Sequence, residues 1–287
     1  MPGIHNGIGT TFRRSAFGGT PSGTDPDADA FIAAWESATS DTLGATQKAV
    51  INEFVLMLKG NGTTNSSDIW TLLAGTSSVI LPYIPKDDST AHYAGYALDL
   101  MSATSVVTWA NFTAGDITPS YLKGGAFSGK YGIVSVQPAD FDQNSFAATF
   151  YARTFTSSNN RAYGTTTNFG ASDNTFNVMP FRVNQTSNSN GSAIPATPSV
   201  VTNRRIASAS VQQFVNGVEV SSQSSSSSTP NALDFYIHAI NNGGSPTLYN
   251  GDEFATFAFT VGMTDDEIKD FHEAIQYLND NIITGGR

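Results

Sequence analysis

The chain has no cysteine among its 287 residues. Disulfides and thiolate zinc sites are therefore excluded, and the absence fits a protein made in a reducing cytoplasm. Charge is also scarce, with only 13% of residues Asp, Glu, Lys or Arg. The basic share is smaller still, 14 Lys and Arg against 24 Asp and Glu, for a formal net charge of -10. Nucleic-acid binding needs clustered cations to neutralise phosphates. Here the only adjacent basic pairs are Arg13-Arg14 and Arg204-Arg205. No apolar run approaches a membrane span, and "MPGIHNGIGTTFRRSAFGG" lacks the apolar core of a signal peptide, so neither membrane nor export is expected. The four histidines, His5, His92, His238 and His272, are scattered and lack the i, i+4 partner of helical zinc sites. His238, inside "FYIHAI", reads as a hydrogen-bonded strand residue. His272, flanked by Asp270 and Glu273, reads as lying on a solvated helix face.

What is present is Ser, Thr, Asn and Gly around an apolar fraction of 39%. Residues 1–25 read as an extended arm whose Ile8, Phe12, Arg13, Arg14 and Phe17 are candidate anchoring residues. Residues 26–75 read as helical. "DPDADAFIAAWESA" opens on Asp-Pro and places Phe31, Ile32 and Trp35 on one face. In "ATQKAVINEFVLMLKGNG", Val50, Ile51, Phe54, Val55 and Leu58 recur at helical spacing before Gly60. "SSDIWTLLAG" is a shorter capped piece.

From 76 to 262 the runs become short, β-branched and aromatic, bounded by Gly, Asn, Ser or Pro: "SVVTWANF", "SFAATFYARTF", "RIASASVQQFV", "LDFYIHAI" and "EFATFAFTV" among them. Nine or ten such runs without alternating helices point to an antiparallel sandwich or jelly roll rather than a doubly wound fold. Alternation on both sides of Asn216-Gly217 predicts a type I′ hairpin. Residues 263–287 carry a helix with Thr264 as N-cap and Glu267 completing a capping box. Its stripe of Ile268, Phe271, Ile275, Leu278 and Ile282 must pack on its own domain or on another subunit.

The ordered pieces "DADAFIAAW", "TQKAVINEFVLMLKGNG", "RRIASASVQQFVNGVEV" and "NNGGSPTLYNGDEFATFAFTVGMTDDEI" resemble phage virion proteins that carry a concanavalin A-like (laminin-G-like) jelly roll. The resemblance spans about residues 26–283. It implies a mainly β, jelly-roll β-sandwich with N-terminal helices and a C-terminal capping helix. It also implies a non-enzymatic virion structural role, in capsid decoration or a tail fibre. The partners would be other virion proteins in a homo-oligomer made in the host cytoplasm. An adhesin for a host surface glycan is the second expectation and a glycan-cleaving hydrolase the third. Related domains often bind calcium, for which Asp140, Asp142 and Asn144 in "PADFDQNS" offer oxygens.

The paired carboxylates of a retaining glucanase are missing: no Glu-x-Asp-x-x-Glu occurs, and adjacent Asp252 and Glu253 would face opposite ways in a strand. "SGKYG", around Lys130, has the wrong glycine spacing for a phosphate loop. Aromatics remain as the route to binding. Tyr93, Tyr96, Tyr121, Tyr131, Tyr151, Tyr163 and Tyr249 lie in or near Gly- and Asn-rich turns, where a ring can stack on a sugar while amides bond its hydroxyls. The alternative is that these rings cap the core. The turn "NNGGSPTLYNGDE" is the candidate binding surface, with Asn241, Asn242, Tyr249, Asn250 and Asp252 as candidate ligand-binding residues.

Overall fold

The computed structural model describes residues 24–62, 65–85, 92–118, 121–124, 129–154, 161–165, 169–172, 181–185, 189, 191 and 198–282. The five proposed anchoring residues, Ile8, Phe12, Arg13, Arg14 and Phe17, lie outside this set.

Helices α1 (Pro26–Thr39), α2 (Ala45–Leu58) and α3 (Ile69–Leu73) come first. The Asp25 side chain caps α1, accepting from the Asp27 N–H at 3.0 Å, with Pro26 inside the first turn. Gly60 follows α2 with φ of 67°, the left-handed turn expected there. A short α4 (His92–Tyr96) interrupts the region expected to be all strand.

The strands form two antiparallel-dominated sheets. The first contains β1 (Val79–Leu81), β3 (Leu122–Lys123), β5 (Phe146–Ala152), β9 (Ser199–Ala207), β10 (Ser210–Val215), β11 (Val218–Ser224) and β15 (Glu253–Thr260). Its order is β1-β15-β5-β9-β10-β11, with β3 on β15. The second contains β2 (Val107–Ala110), β4 (Tyr131–Val134), β6 (Arg161–Thr165), β7 (Phe169–Ser172), β8 (Phe181–Val183), β12 (Phe235–Ile237), β13 (Ile240–Asn242) and β14 (Ser245–Thr247). Its order is β14-β13-β6-β12-β4-β2, extended by β7 and β8.

Two apolar clusters make three layers. On β5, Phe146, Ala148, Phe150 and Ala152 face the second sheet, while Ala147 and Tyr151 face the helices. Both faces are covered, so the strand is apolar throughout instead of alternating. On β15 a register shift between Phe254 and Phe257 turns both rings into the inter-sheet core despite their odd spacing. Phe235 and Phe259 stack across the sheets at 4.3 Å.

The last helix, α5 (Asp265–Asn281), has the expected capping box: the Glu267 N–H donates to Thr264 Oγ1 at 3.3 Å and the Thr264 N–H to Glu267 Oε2 at 2.6 Å. Its predicted stripe is buried against α2 and the first sheet of the same chain.

The Asn216-Gly217 turn joins β10 to β11 with φ of 48° and 79°, both left-handed as a type I′ hairpin requires. The turn is docked. Asn216 exchanges backbone and side-chain hydrogen bonds with Val200, at 2.9 Å each. The Gly217 N–H donates to His272 Nδ1 at 2.6 Å. That bond leaves the imidazole proton on Nε2, 2.6 Å from Thr202 Oγ1. His272 is thus 1% exposed and not on a solvated face, a correction to the sequence expectation. Burial pushes its pKa down to about 3.

The basic pair Arg204-Arg205 is also interior, and strand alternation sends its members opposite ways. Arg204 lies on the helix side, donating to Met263 O at 2.6 Å, Gln212 Oε1 and Asp265 Oδ1. Arg205 donates to Val183 O, Ala207 O, Ser208 O, Ser225 O and Gln185 Oε1. Those five acceptors are neutral, and burial pushes the guanidinium down to about 10.

Candidate functional site

The turn singled out in the sequence is built mostly from inward-facing groups. Asn241 is buried, donating to Asp234 O at 2.9 Å and accepting from the Gly244 N–H at 2.7 Å. Asn250 is buried and accepts the Asp252 N–H, and Asp252 itself is fully buried. Asn242 is exposed, and Tyr249 is half-buried. Tyr249 lies 6.2 Å from Tyr131, which stacks on Tyr236 at 5.1 Å. The hydroxyls of Tyr236 and Tyr249 donate to Gly244 O and Pro246 O. The aromatic and amide groups here hold the turn in place, which favours the capping alternative over a sugar platform.

His238 anchors this turn but is not a hydrogen-bonded strand residue: β12 ends at Ile237, and His238 has φ of 61°. Its backbone N–H donates to Ala162 O at 2.7 Å and its carbonyl accepts from Asn250 at 2.8 Å. The ring is fully buried among Phe112, Phe254 and Phe257, with no hydrogen-bond partner for either nitrogen among the described residues. Burial pushes its pKa down to about 3.

The proposed calcium ligands lie on and after a 3-10 turn, Pro138–Asp140. Asp140 Oδ2 accepts the Gln137 N–H at 2.8 Å, Asp142 is exposed, and Asn144 is half-buried. Among the described residues no three His, Asp or Glu side chains converge on a point that could hold an ion.

A groove of about 540 Å³ lies elsewhere, between α3 and one edge of the sandwich. In α3, Asp68 caps the helix by accepting the Thr71 N–H at 2.9 Å. Ile69 and Leu73, one turn apart, are buried, and Trp70, half-buried against the helix-side cluster, lines the groove. Lys59 Nζ sits 5.1 Å from the indole centroid and is held by Asp25 at 2.7 Å and Asp27 at 2.6 Å. After α3 the chain reverses at Gly75, with φ of 72°, and Thr76, Ser77 and Ser78 line one wall, the Thr76 hydroxyl bonded to Leu73 O and Ser78 Oγ.

The opposite wall contains Asp99, Met101, Ser102, Ser135 and Asp140. Asp99 is buried and structural: its carboxylate accepts the N–H groups of Ile80 at 2.8 Å, Met101 at 3.2 Å and Ser102 at 2.9 Å. Burial pushes this carboxyl above the usual range, while the three N–H bonds pull the other way. Asp27 and Asp140 remain open to solvent, the Asp27 side chain 47% exposed. The groove therefore combines an indole, hydroxyl-bearing walls and two accessible carboxylates. Sequence reasoning missed Trp70. Its signal was an indole lying off the Ile69/Leu73 stripe of a short helix.

No protein-family model and no curated protein matches the chain. Among solved structures it resembles a mutant of Trypanosoma rangeli sialidase displaying trans-sialidase activity, at 15% identity and a TM-score of 0.52. That alignment covers 84% of this chain and 38% of the sialidase. It also aligns with the binding domain of Paraclostridial Mosquitocidal Protein 1, at 11% identity and a TM-score of 0.44, over 67% of this chain and 51% of that one. The sialidase likeness supports the fold alone: mainly β, antiparallel sheets in a sandwich-like arrangement, with a C-terminal helix. The expected role as a phage virion structural protein is corrected, since the solved structure that the chain resembles at a TM-score of 0.52 is a sialidase, a likeness that shows the fold alone.

Proposed function

We propose that this domain binds a saccharide in the groove beside Trp70 and does not cleave it. The observation that carries the reading is the indole lining a groove with hydroxyl-bearing walls. An aromatic face offers a sugar ring its apolar contact, while Ser, Thr and carboxylate oxygens order its hydroxyls. The fold likeness to a sialidase is consistent with a glycan ligand but supplies no residue-level support.

The state of the carboxylates supports binding without cleavage by a carboxylate pair. Asp99 is spent on backbone N–H groups and Asp27 is paired with Lys59, so the exposed Asp140 has no second free carboxylate beside it among the described lining residues. Glycoside hydrolysis by paired carboxylates needs one acid and one base or nucleophile facing the scissile bond. Asp252 and Glu253, the adjacent acids noted in the sequence, lie outside the groove lining, and Asp252 is buried. The finer architecture is part of the same proposal: non-sequential antiparallel neighbours such as β15-β5-β9 favour a jelly roll.

The test is titration calorimetry against a panel of oligosaccharides with wild type and Trp70→Ala. Removing the indole is expected to weaken binding by about tenfold or more with the fold intact by circular dichroism. Equal affinity in the variant, or turnover of any bound saccharide, defeats the proposal.

A further inference from the structure

The groove's charge indicates which saccharides it takes, an inference that rests on the groove being the binding site. Among the described residues lining it none is Lys, Arg or His, whereas Asp27, Asp99 and Asp140 all are lining residues. Lys59, which lies over the Trp70 ring, is already shared between Asp25 and Asp27. The Asp99 charge is met by three backbone N–H groups. Asp140 differs from both. It is exposed, and one oxygen accepts a single backbone N–H from Gln137. It is the groove carboxylate with capacity left for a cation.

We propose that the groove selects amine-bearing saccharides over their N-acetylated counterparts and rejects anionic glycans, with Asp140 pairing the sugar ammonium. A carboxylate-bearing sugar would have to shed water beside like charges, with no cation among the described lining residues to receive it. The chain's net charge of -10 adds a long-range bias in the same direction. An ammonium on a sugar stacked against Trp70 would gain an ion pair at a half-open site, worth roughly fivefold in affinity.

The experiment compares three probes by calorimetry, at a pH just below neutral and at low and high salt. They are a glucosamine oligomer, the N-acetylglucosamine oligomer of equal length, and sialyllactose. Each is titrated into wild type, Asp140→Asn and Trp70→Ala. Asparagine keeps an oxygen to accept the Gln137 N–H, so the turn survives the first substitution. The expected result is a gain of roughly fivefold for the amine that shrinks in high salt and disappears in Asp140→Asn, with sialyllactose the weakest ligand. An amine gain that survives Asp140→Asn, or sialyllactose binding as well as the others, overturns the selectivity. If Trp70→Ala abolishes binding while the anionic sugar is preferred, the charge inference alone falls. If Trp70→Ala changes no affinity, the groove reading falls with it.

Discussion

Two buried histidines make the fold acid-sensitive in a way that can be calculated. His238 and His272 are both fully enclosed, and burial lowers each from 6.5 to about 3. An imidazole with a lowered folded pKa is neutral in the native state, while the unfolded chain protonates it below pH 6.5. The unfolded state therefore binds more protons as pH falls, and stability is lost from about 6.5 downward until the folded value near 3 is reached. Each pH unit in that window costs about 1.4 kcal/mol per histidine, so acidification to about pH 4.5 removes about 2.7 kcal/mol for each. The pair together removes roughly 5 kcal/mol, a large part of a typical folding free energy. Asp99 works in the opposite direction, because a carboxyl raised by burial gains stability on acidification. Its contribution cancels in a comparison of variants. The assay is urea denaturation of wild type, His272→Gln and His238→Asn at neutral pH and at the acid end. Asparagine suits the left-handed backbone at His238. Each substitution should reduce the loss of stability between the two pH values by about 2.7 kcal/mol, whatever it does to stability at neutral pH. An unchanged pH dependence in His272→Gln would refute the claim that this imidazole is neutral where it accepts the Gly217 N–H.

Two further outcomes follow from packing. Gly217→Ala places a methyl carbon 3.2 Å from Lys269 Cα at a residue with φ of 79°, and should cost about 1–2 kcal/mol, read as a lower thermal midpoint. Arg205→Met leaves five acceptors without their donor, Val183 O and Gln185 Oε1 in buried bonds, and should cost about 3 kcal/mol, read as a lower urea midpoint at unchanged slope. Arg205→Lys should not restore that loss, since an ammonium has no planar fork to reach β8 and the Ser225 carbonyl together.

The parts of the fold legible in the sequence were those set by local chemistry. Thr264 and Glu267 announce a capping box within four residues, and Asn216-Gly217 announces a hairpin by its backbone requirement alone. The interior ends of long polar side chains were not legible. His272 sits between Asp270 and Glu273, a polar neighbourhood in sequence, yet it is four residues beyond Ile268 and shares that helix's buried side. Arg204 and Arg205 look like a surface pair until both faces of β9 are seen to be covered. The groove was hidden for a different reason. Its walls come from Asp27 and from residues 70–79, 99–106 and 135–140, which only the tertiary fold brings together. The turn around Tyr249 looked like a site because its residue types match sugar chemistry. In the folded chain the Asn241 amide and the Tyr236 and Tyr249 hydroxyls are bonded to backbone groups.

The three tryptophans give the most direct measurement of the central claim. Trp35 is fully buried, and the Trp109 indole N–H donates to Tyr93 O at 3.0 Å, whereas Trp70 lines the groove. In an amide and indole proton–nitrogen correlation spectrum, titration with a bound oligosaccharide should move the Trp70 indole peak. Backbone peaks of Ser77, Ser102 and Asp140 should move with it, and those of Trp35 and Trp109 should stay in place. Shifts centred on Trp109 and Tyr249 with Trp70 unmoved would contradict the account.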